Sequence, residues 1–245
     1  MVDLFEEVDG RLRSDRYSGL VGRYLPWAAA ICGLALVAVV ALWGYERYRD
    51  GVAEQASQAY ADAEDALARG DTGAASLKFA VVAKSGSPIY RTLAQMQQAG
   101  IRLSAGDTNQ AVQMFDAAAQ GAPNQDLADA ARLKSALALL DTASLADMET
   151  RLTPLADAKR PFHALAREAI AMAKLRAGKF AGAKADFSAL ITGLDTPDDV
   201  RQRAHAANVL IDEGSAPVVA AAAKAALTLP APPPAMPTTE AGSAQ

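Results

Sequence analysis

Residues 63–79 read AEDALARGDTGAASLKF. Two helical segments meet in this stretch. The first is alanine-rich and closes at Arg69-Gly70-Asp71, where a glycine just past the helix end takes the left-handed conformation. The second opens at Asp71, whose carboxylate suits a helix N-terminus. Ala75 and Phe79 stand four residues apart, so they share a face of that second helix. The arrangement then returns. Phe79, Phe115, Leu152 and Phe187 follow one another at separations of 36, 37 and 35 residues. Ala75, Ala111, Met148 and Ala183 stand four residues before them, and Ala63, Ala99, Ala136 and Ala171 stand twelve before those. Gly70, Gly106 and Gly178 fall in the turns, with Thr142 in the place of the missing glycine. Proline comes soon after each repeat, at Pro88, Pro123, Pro161 and Pro197.

Each recurring residue has a physical role in a helix–turn–helix repeat. The alanines let paired helices approach closely, where a larger side chain would wedge them apart. The aromatic fills the space between one pair and the next. Proline suits the first turn of a helix, with Ser87 and Thr196 placed to cap and Asp198 and Asp199 favoured by the helix dipole. Ser144-Leu145-Ala146-Asp147 reads as a capping box. The pattern resembles the tetratricopeptide repeat over residues 56 to about 197, with a longer period than its usual 34 residues and without its early Trp and Leu-Gly signature. Residues 198–213 read as one more helix, with Val200, Ala204, Ala207 and Ile211 on one stripe. Residues 217–228 read as a last alanine-rich helix that ends the stack. The tail from Leu229 to Gln245 is Pro-rich, then polar, and reads as disordered.

Ahead of the repeats lies Leu25–Tyr45, LPWAAAICGLALVAVVALWGY, with no charge between Arg23 and Glu46. As a helix, its 21 residues reach roughly 31 Å, against a hydrocarbon core of about 30 Å. Trp27 and Trp43 mark its two ends, with tyrosines nearby, as amphipathic rings do at the headgroup level. The leader before it is 23 residues long and mixes acids with four arginines. No small-x-small site follows the apolar run, so an uncleaved anchor is expected rather than a signal peptide. The basic residues of the short leader place the N-terminus in the cytoplasm and residues 46 onward across the membrane. The fold class expected is therefore all-α, a single N-terminal transmembrane helix followed by a tetratricopeptide-repeat-like helical solenoid. The expected divisions are 1–23 (cytoplasmic), 24–45 (transmembrane), 46–228 (repeat domain) and 229–245 (tail).

The chemistry-bearing residues are sparse. The net charge is −4 and no long basic run occurs, which argues against nucleic acid. The one cysteine, Cys32, lies in the apolar run, so the repeat domain has no disulfide and no cysteine metal site. His163 and His205 have no partner at metal-ligand spacing. No nucleophile elbow or phosphate-binding loop is present. No catalytic residue, metal or cofactor is expected, and the chain reads as a binding protein.

The order of parts, a short charged leader, one span, then repeats of loose period, is similar to the ancillary SecYEG translocon subunit family (YfgM-type). The likeness is carried by Ser57-Gln58-Ala59-Tyr60-Ala61-Asp62-Ala63 and by Tyr90-Arg91-Thr92-Leu93-Ala94-Gln95-Met96-Gln97-Gln98-Ala99. Leu139-Leu140-Asp141-Thr142-Ala143-Ser144 and Arg176-Ala177-Gly178-Lys179-Phe180-Ala181-Gly182-Ala183 add to it. The resemblance implies a bacterial inner-membrane protein with periplasmic repeats. Its implied partners are the SecYEG translocon, a membrane-anchored periplasmic prolyl isomerase chaperone, and unfolded or emerging client proteins. The alternative is a structural scaffold for envelope or cell-division complexes without client binding. The first helix of each repeat usually lines the concave face, which makes Gln58, Asp62, Gln95, Gln98 and Arg132 the candidate partner-binding residues.

Overall fold

The computed structural model describes residues 3–218 in backbone; the side chains of residues 1–26, 28, 29 and 32 fall outside the described set, as do residues 219–245. The described residues form nine α-helices in order: α1 (Asp3–Ala68), α2 (Thr72–Val82), α3 (Pro88–Ser104), α4 (Thr108–Gly121), α5 (Gln125–Ala138), α6 (Leu145–Leu152), α7 (His163–Arg176), α8 (Phe180–Thr192) and α9 (Asp198–Asp212). A single 3-10 turn, Thr153–Leu155, follows α6, and no strand occurs among the described residues. The chain divides into two compact units, residues 1–91 and 92–245.

In the first unit, α1 runs as one 66-residue helix, through Gly51 and into the first repeat. Its last turns pack on α2 through Ala63 and Ala66, opposite Ala75, Phe79 and Val82, all buried. Tyr60 bridges two rings, edge-on to Phe79 at 5.4 Å and tilted to Tyr90 at 5.8 Å. The N-terminal part of α1 is different. Every residue described from 33 to 50 is exposed, and Leu34, Val37, Val40 and Trp43 show 60% or more of their surface. Among the described residues no helix is long and apolar enough to cross a membrane. The span expected over residues 24–45 is thus not found among the described residues, which leave out the side chains of 24–26, 28, 29 and 32. The terminal helix over 217–228 and the Pro-rich tail lie almost wholly outside the described residues.

In the second unit the helices pack in sequence, α4 on α5, α5 on α6, α6 on α7, α7 on α8 and α8 on α9. First helices of consecutive repeats also touch, α7 with α9. Three long-range polar contacts join residues one period apart: Arg151 with Asp116, Arg176 with Asp141, and Arg203 with Glu168, each 35 residues distant in sequence. Equivalent positions of neighbouring repeats are therefore side by side, as stacking of a repeated element requires.

The phased residues form the cores. Ala99, Ala136 and Ala171 show no exposed surface, and neither do Ala111, Met148 and Ala183. Phe115, Leu152 and Phe187 lie beside them, buried. Ala164, Ala171, Ala183, Phe187, Val200, Ala204 and Ala207 share one cluster, so α9 supplies the stripe expected of it. In the third repeat, Met148 and Leu152 replace the usual Ala and Phe. Volume moves from one position to its neighbour, a swap that cores tolerate when total volume is kept.

The turns share one geometry. Gly70, Gly106 and Gly178 have φ of 79°, 84° and 74°. In each, the glycine N–H donates to the carbonyl three residues back and the next N–H to the carbonyl five back, for example Lys179 to Lys174 at 2.9 Å. These are the two bonds of the Schellman closure. Gly214, φ 70°, closes α9 in the same way, 36 residues after Gly178. Helix α9 is thus the first helix of a fifth repeat. Asp71 and Asp107 cap the helices that follow, accepting from Ala74 N–H at 2.9 Å and Gln110 N–H at 3.2 Å.

Two capping expectations need correction. Pro197, not Thr196, occupies the N-cap of α9, and no side chain caps it. There the Thr196 carbonyl accepts from the Arg201 guanidinium at 2.9 Å. At Ser144, the hydroxyl oxygen does accept from Asp147 N–H at 3.2 Å, but the Asp147 carboxylate accepts a hydrogen bond from the Ser144 hydroxyl at 2.6 Å. The shorter Asp side chain turns to the hydroxyl, where the Glu or Gln of a capping box reaches the backbone N–H.

Candidate functional site

The third repeat departs from the others, and the departure makes a site. Without a glycine at 142, no residue of its turn has positive φ. The chain instead takes six residues, 139–144, to pass from α5 to α6. Leu139, Leu140 and Ala143 anchor that turn on the core, and Arg176 of the next repeat donates to the carbonyls of Asp141 and Ala143. Helix α6 is then only eight residues long, because Pro154 lacks the N–H to continue it and its ring crowds the preceding turn. The 3-10 turn and the loop over 156–162 follow, and they leave a cleft of about 530 Å³ against α4 and α5.

Five charged side chains organise that cleft: Asp116, Asp129, Arg132, Arg151 and Arg160. Asp129 is 1% exposed, and a buried carboxylate persists only when paired. Its Oδ2 lies 3.0 Å from Arg160 Nη1, and its Oδ1 accepts from Arg132 Nη1 at 3.1 Å and Gln125 Nε2 at 2.8 Å. Gln125, Asp129 and Arg132 fall on one face of α5 at spacings of four and three. Asp116, on α4, accepts from Ser135 Oγ at 2.6 Å and from Arg151 Nη1 at 3.2 Å. The side chains of Arg132, Arg151 and Arg160 stay partly exposed, at 46%, 38% and 32%. Ala119, Pro154 and Leu155 add an apolar wall.

A second cleft, about 480 Å³, is lined by Glu149, Arg167, Ile170, Lys174 and Asp186 among others, with Lys174 and Asp186 paired at 2.6 Å. At α9, Arg203 holds Glu168 of α7 through two bonds of 2.6 and 2.8 Å and Asp199 at 3.0 Å. The bond from Arg203 keeps the Asp199 carboxyl below the usual carboxylate range. The bond to Glu168 raises the Arg203 guanidinium further above neutrality.

The candidate residues named from sequence divide. Arg132 lines the arginine cleft. Gln58 lines a shallow depression with Glu54, Ser57 and Tyr90 in the first compact unit. Asp62 is exposed one turn from Gln58, and its backbone carbonyl accepts from Lys78 Nζ at 3.2 Å. Gln95 and Gln98 are half-buried on α3. Asp62, Gln95 and Gln98 line none of the four depressions described among these residues. Sequence reading missed Asp116, Asp129, Arg151 and Arg160, which are unremarkable singly and meet only in the fold. His163 packs with Nδ1 2.8 Å from the Arg160 carbonyl and Nε2 2.8 Å from Asp195, while His205 is exposed. Among the described residues no group of His, Cys, Asp or Glu is placed to hold a metal ion.

Against known families, residues 22–207 match the tetratricopeptide repeat-like domain. The chain belongs to this family. No curated protein and no solved structure matches it. Tetratricopeptide repeat-like domains mediate protein–protein interactions and are typically non-catalytic scaffolds.

Proposed function

We propose that this chain is a non-enzymatic, membrane-anchored repeat adaptor of the bacterial inner membrane. In this reading residues 24–45 hold it in the bilayer, the leader faces the cytoplasm, and the repeat domain faces the periplasm. It binds the SecYEG translocon, a membrane-anchored periplasmic prolyl isomerase chaperone, or both, and assists emerging envelope proteins. The observation that carries the reading is that the family match begins at residue 22, so it takes in the uncharged run together with the repeats. Along that run the described side chains are apolar and exposed on all faces of α1. A helix apolar all round belongs in a protein core or a bilayer. An anchor would also raise the effective concentration of the repeats at a channel exit.

The test is site-specific photocrosslinking in native membranes, with probes at Gln58, Gln98 and Arg132. Adducts to channel subunits or to chains emerging from the channel are the expected result. Adducts only to folded envelope or division proteins would replace this reading by a scaffold role. Recovery of the chain in the soluble fraction after membrane lysis would remove the anchor altogether.

A further inference from the structure

We propose that the turn between α2 and α3 docks on the phosphate layer of a phospholipid membrane. This rests on reading residues 24–45 as a span, and it adds a second point of contact with the lipid. Helix α1 leaves the uncharged run without a break and continues to Ala68. Helix α2 then runs back beside it. Lys78 Nζ donates to the Asp62 carbonyl at 3.2 Å, and a Cβ at Gly86 would lie 3.0 Å from Val52 Cγ1. The turn at residues 83–87 is thus level with Val52, seven residues beyond Tyr45. At about 1.5 Å per residue, that is roughly 10 Å along the helix. The headgroup layer is roughly 5–8 Å deep on each side of the hydrocarbon core. An upright α1 therefore sets the turn at the outer edge of the headgroups. The end of α1 at Ala68, beside the Gly70 turn, lies about 24 Å further out.

The chemistry of the turn suits that position. Residues 72–91 carry three basic side chains and no acid, in a chain of net charge −4. Two of the three are engaged, Lys78 with the Asp62 carbonyl and Arg91 with the Ser85 carbonyl at 3.2 and 3.3 Å. The third, Lys84, is exposed in the turn, and its ammonium is held by no other described residue. Ile89, 47% exposed, follows at the start of α3. An ammonium at this level meets phosphate oxygens, and an apolar side chain beyond it adds contact with the lipid. On the stem, Arg47 and Arg49 stand at the same level but are offset by Glu46 and Asp50, so Lys84 supplies the excess charge. A lone membrane helix tilts, by about 20° on average, and a cation on one side biases the tilt toward that side.

The test uses the full chain in vesicles of phosphatidylethanolamine and phosphatidylglycerol. In a Cys32→Ser background, Tyr45→Cys, Thr72→Cys and Pro88→Cys each carry a fluorescent label. The quencher is a lipid with a nitroxide on its headgroup. The labels at 45 and 88 should lose most of their emission, and the label at 72 should keep it. Lys84→Glu should recover part of the emission at 88 and leave that at 45 unchanged. Lys84 is exposed, so the change disturbs no core contact. Quenching at 45 without quenching at 88, or equal quenching at 88 and 72, would overturn the proposal. So would quenching at 88 that Lys84→Glu leaves unaltered. No quenching at 45 would overturn the anchor reading itself, which keeps the two failures apart.

Discussion

The third and fourth repeats solve the same packing problem in two ways. In the fourth, Gly178 closes α7 in one left-handed step, Ala183 admits the neighbouring helix, and Phe187 fills the space beyond. Its polar side chains pair with one another, Lys174 with Asp186, or with the next helix, Glu168 with Arg203. In the third, a glycine-free turn, a Met and Leu in place of Ala and Phe, and a proline that cuts α6 short all fall together. The core stays closed, with Met148, Leu152 and Leu155 buried, but the shortened helix exposes a cleft where α4 and α5 would otherwise be covered. Regularity serves the stack, and the break in regularity makes a surface that differs from its neighbours. A repeat protein gains a selective site most simply by one irregular repeat, because its regular repeats present similar faces.

The largest effect that tests this comparison is in the cores. Phe187→Ala should cost about 3–5 kcal/mol in denaturant unfolding, and Leu152→Ala about 2–5 kcal/mol. Both side chains are fully buried, so a loss below about 0.5 kcal/mol at either, the range of surface changes, would break the repeat alignment at that position. The turns come next. Gly178→Ala should cost about 1–2 kcal/mol, because an L side chain is strained at φ of 74°. Thr142→Gly should bring no comparable gain, since its turn has no left-handed residue for glycine to relieve. If Thr142→Gly stabilised the chain by as much as Gly178→Ala destabilises it, the two turns would be the same device after all.

The smallest effect is at α9. Asp199 is held below its usual range by the bond from Arg203, so its contribution is present above the unfolded carboxylate value of 3.8 and is lost as pH falls through the lower folded value. The gap in unfolding midpoint between the parent chain and Asp199→Asn should therefore be small, constant near neutrality, and closed at acid pH. A gap that widened on acidification would reverse the sign and the assignment.

Much of the architecture was legible because it is written in periodic, local terms. The alanine rows, the aromatic row and the turn glycines recur at about one period, and each acts within a helix or across one turn. Even the fifth repeat had a signal, Gly214 standing 36 residues past Gly178. The caps were legible at Asp71 and Asp107 and misjudged at Thr196, because the helix starts one residue later and Pro197 takes the N-cap. The candidate site was scarcely legible. Of its charged residues only Arg132 stood out, and for its helix position rather than its partners.

By itself the sequence determined that this chain is a stack of paired helices behind an uncharged stretch of 22 residues, residues 24–45. Period, small-residue spacing and left-handed glycines act over a few residues and survive without knowing what lies across the core. Only the tertiary structure decided where charge collects. Asp116, Asp129, Arg151 and Arg160 are each indistinguishable in sequence from solvated charges, and they meet because packing of the second repeat on the third, and within the third, brings residues 35 and 31 positions apart within hydrogen-bond distance. The burial of Asp129, which turns its neighbours from surface arginines into an ordered set, is a property of the packed repeats and of no shorter segment.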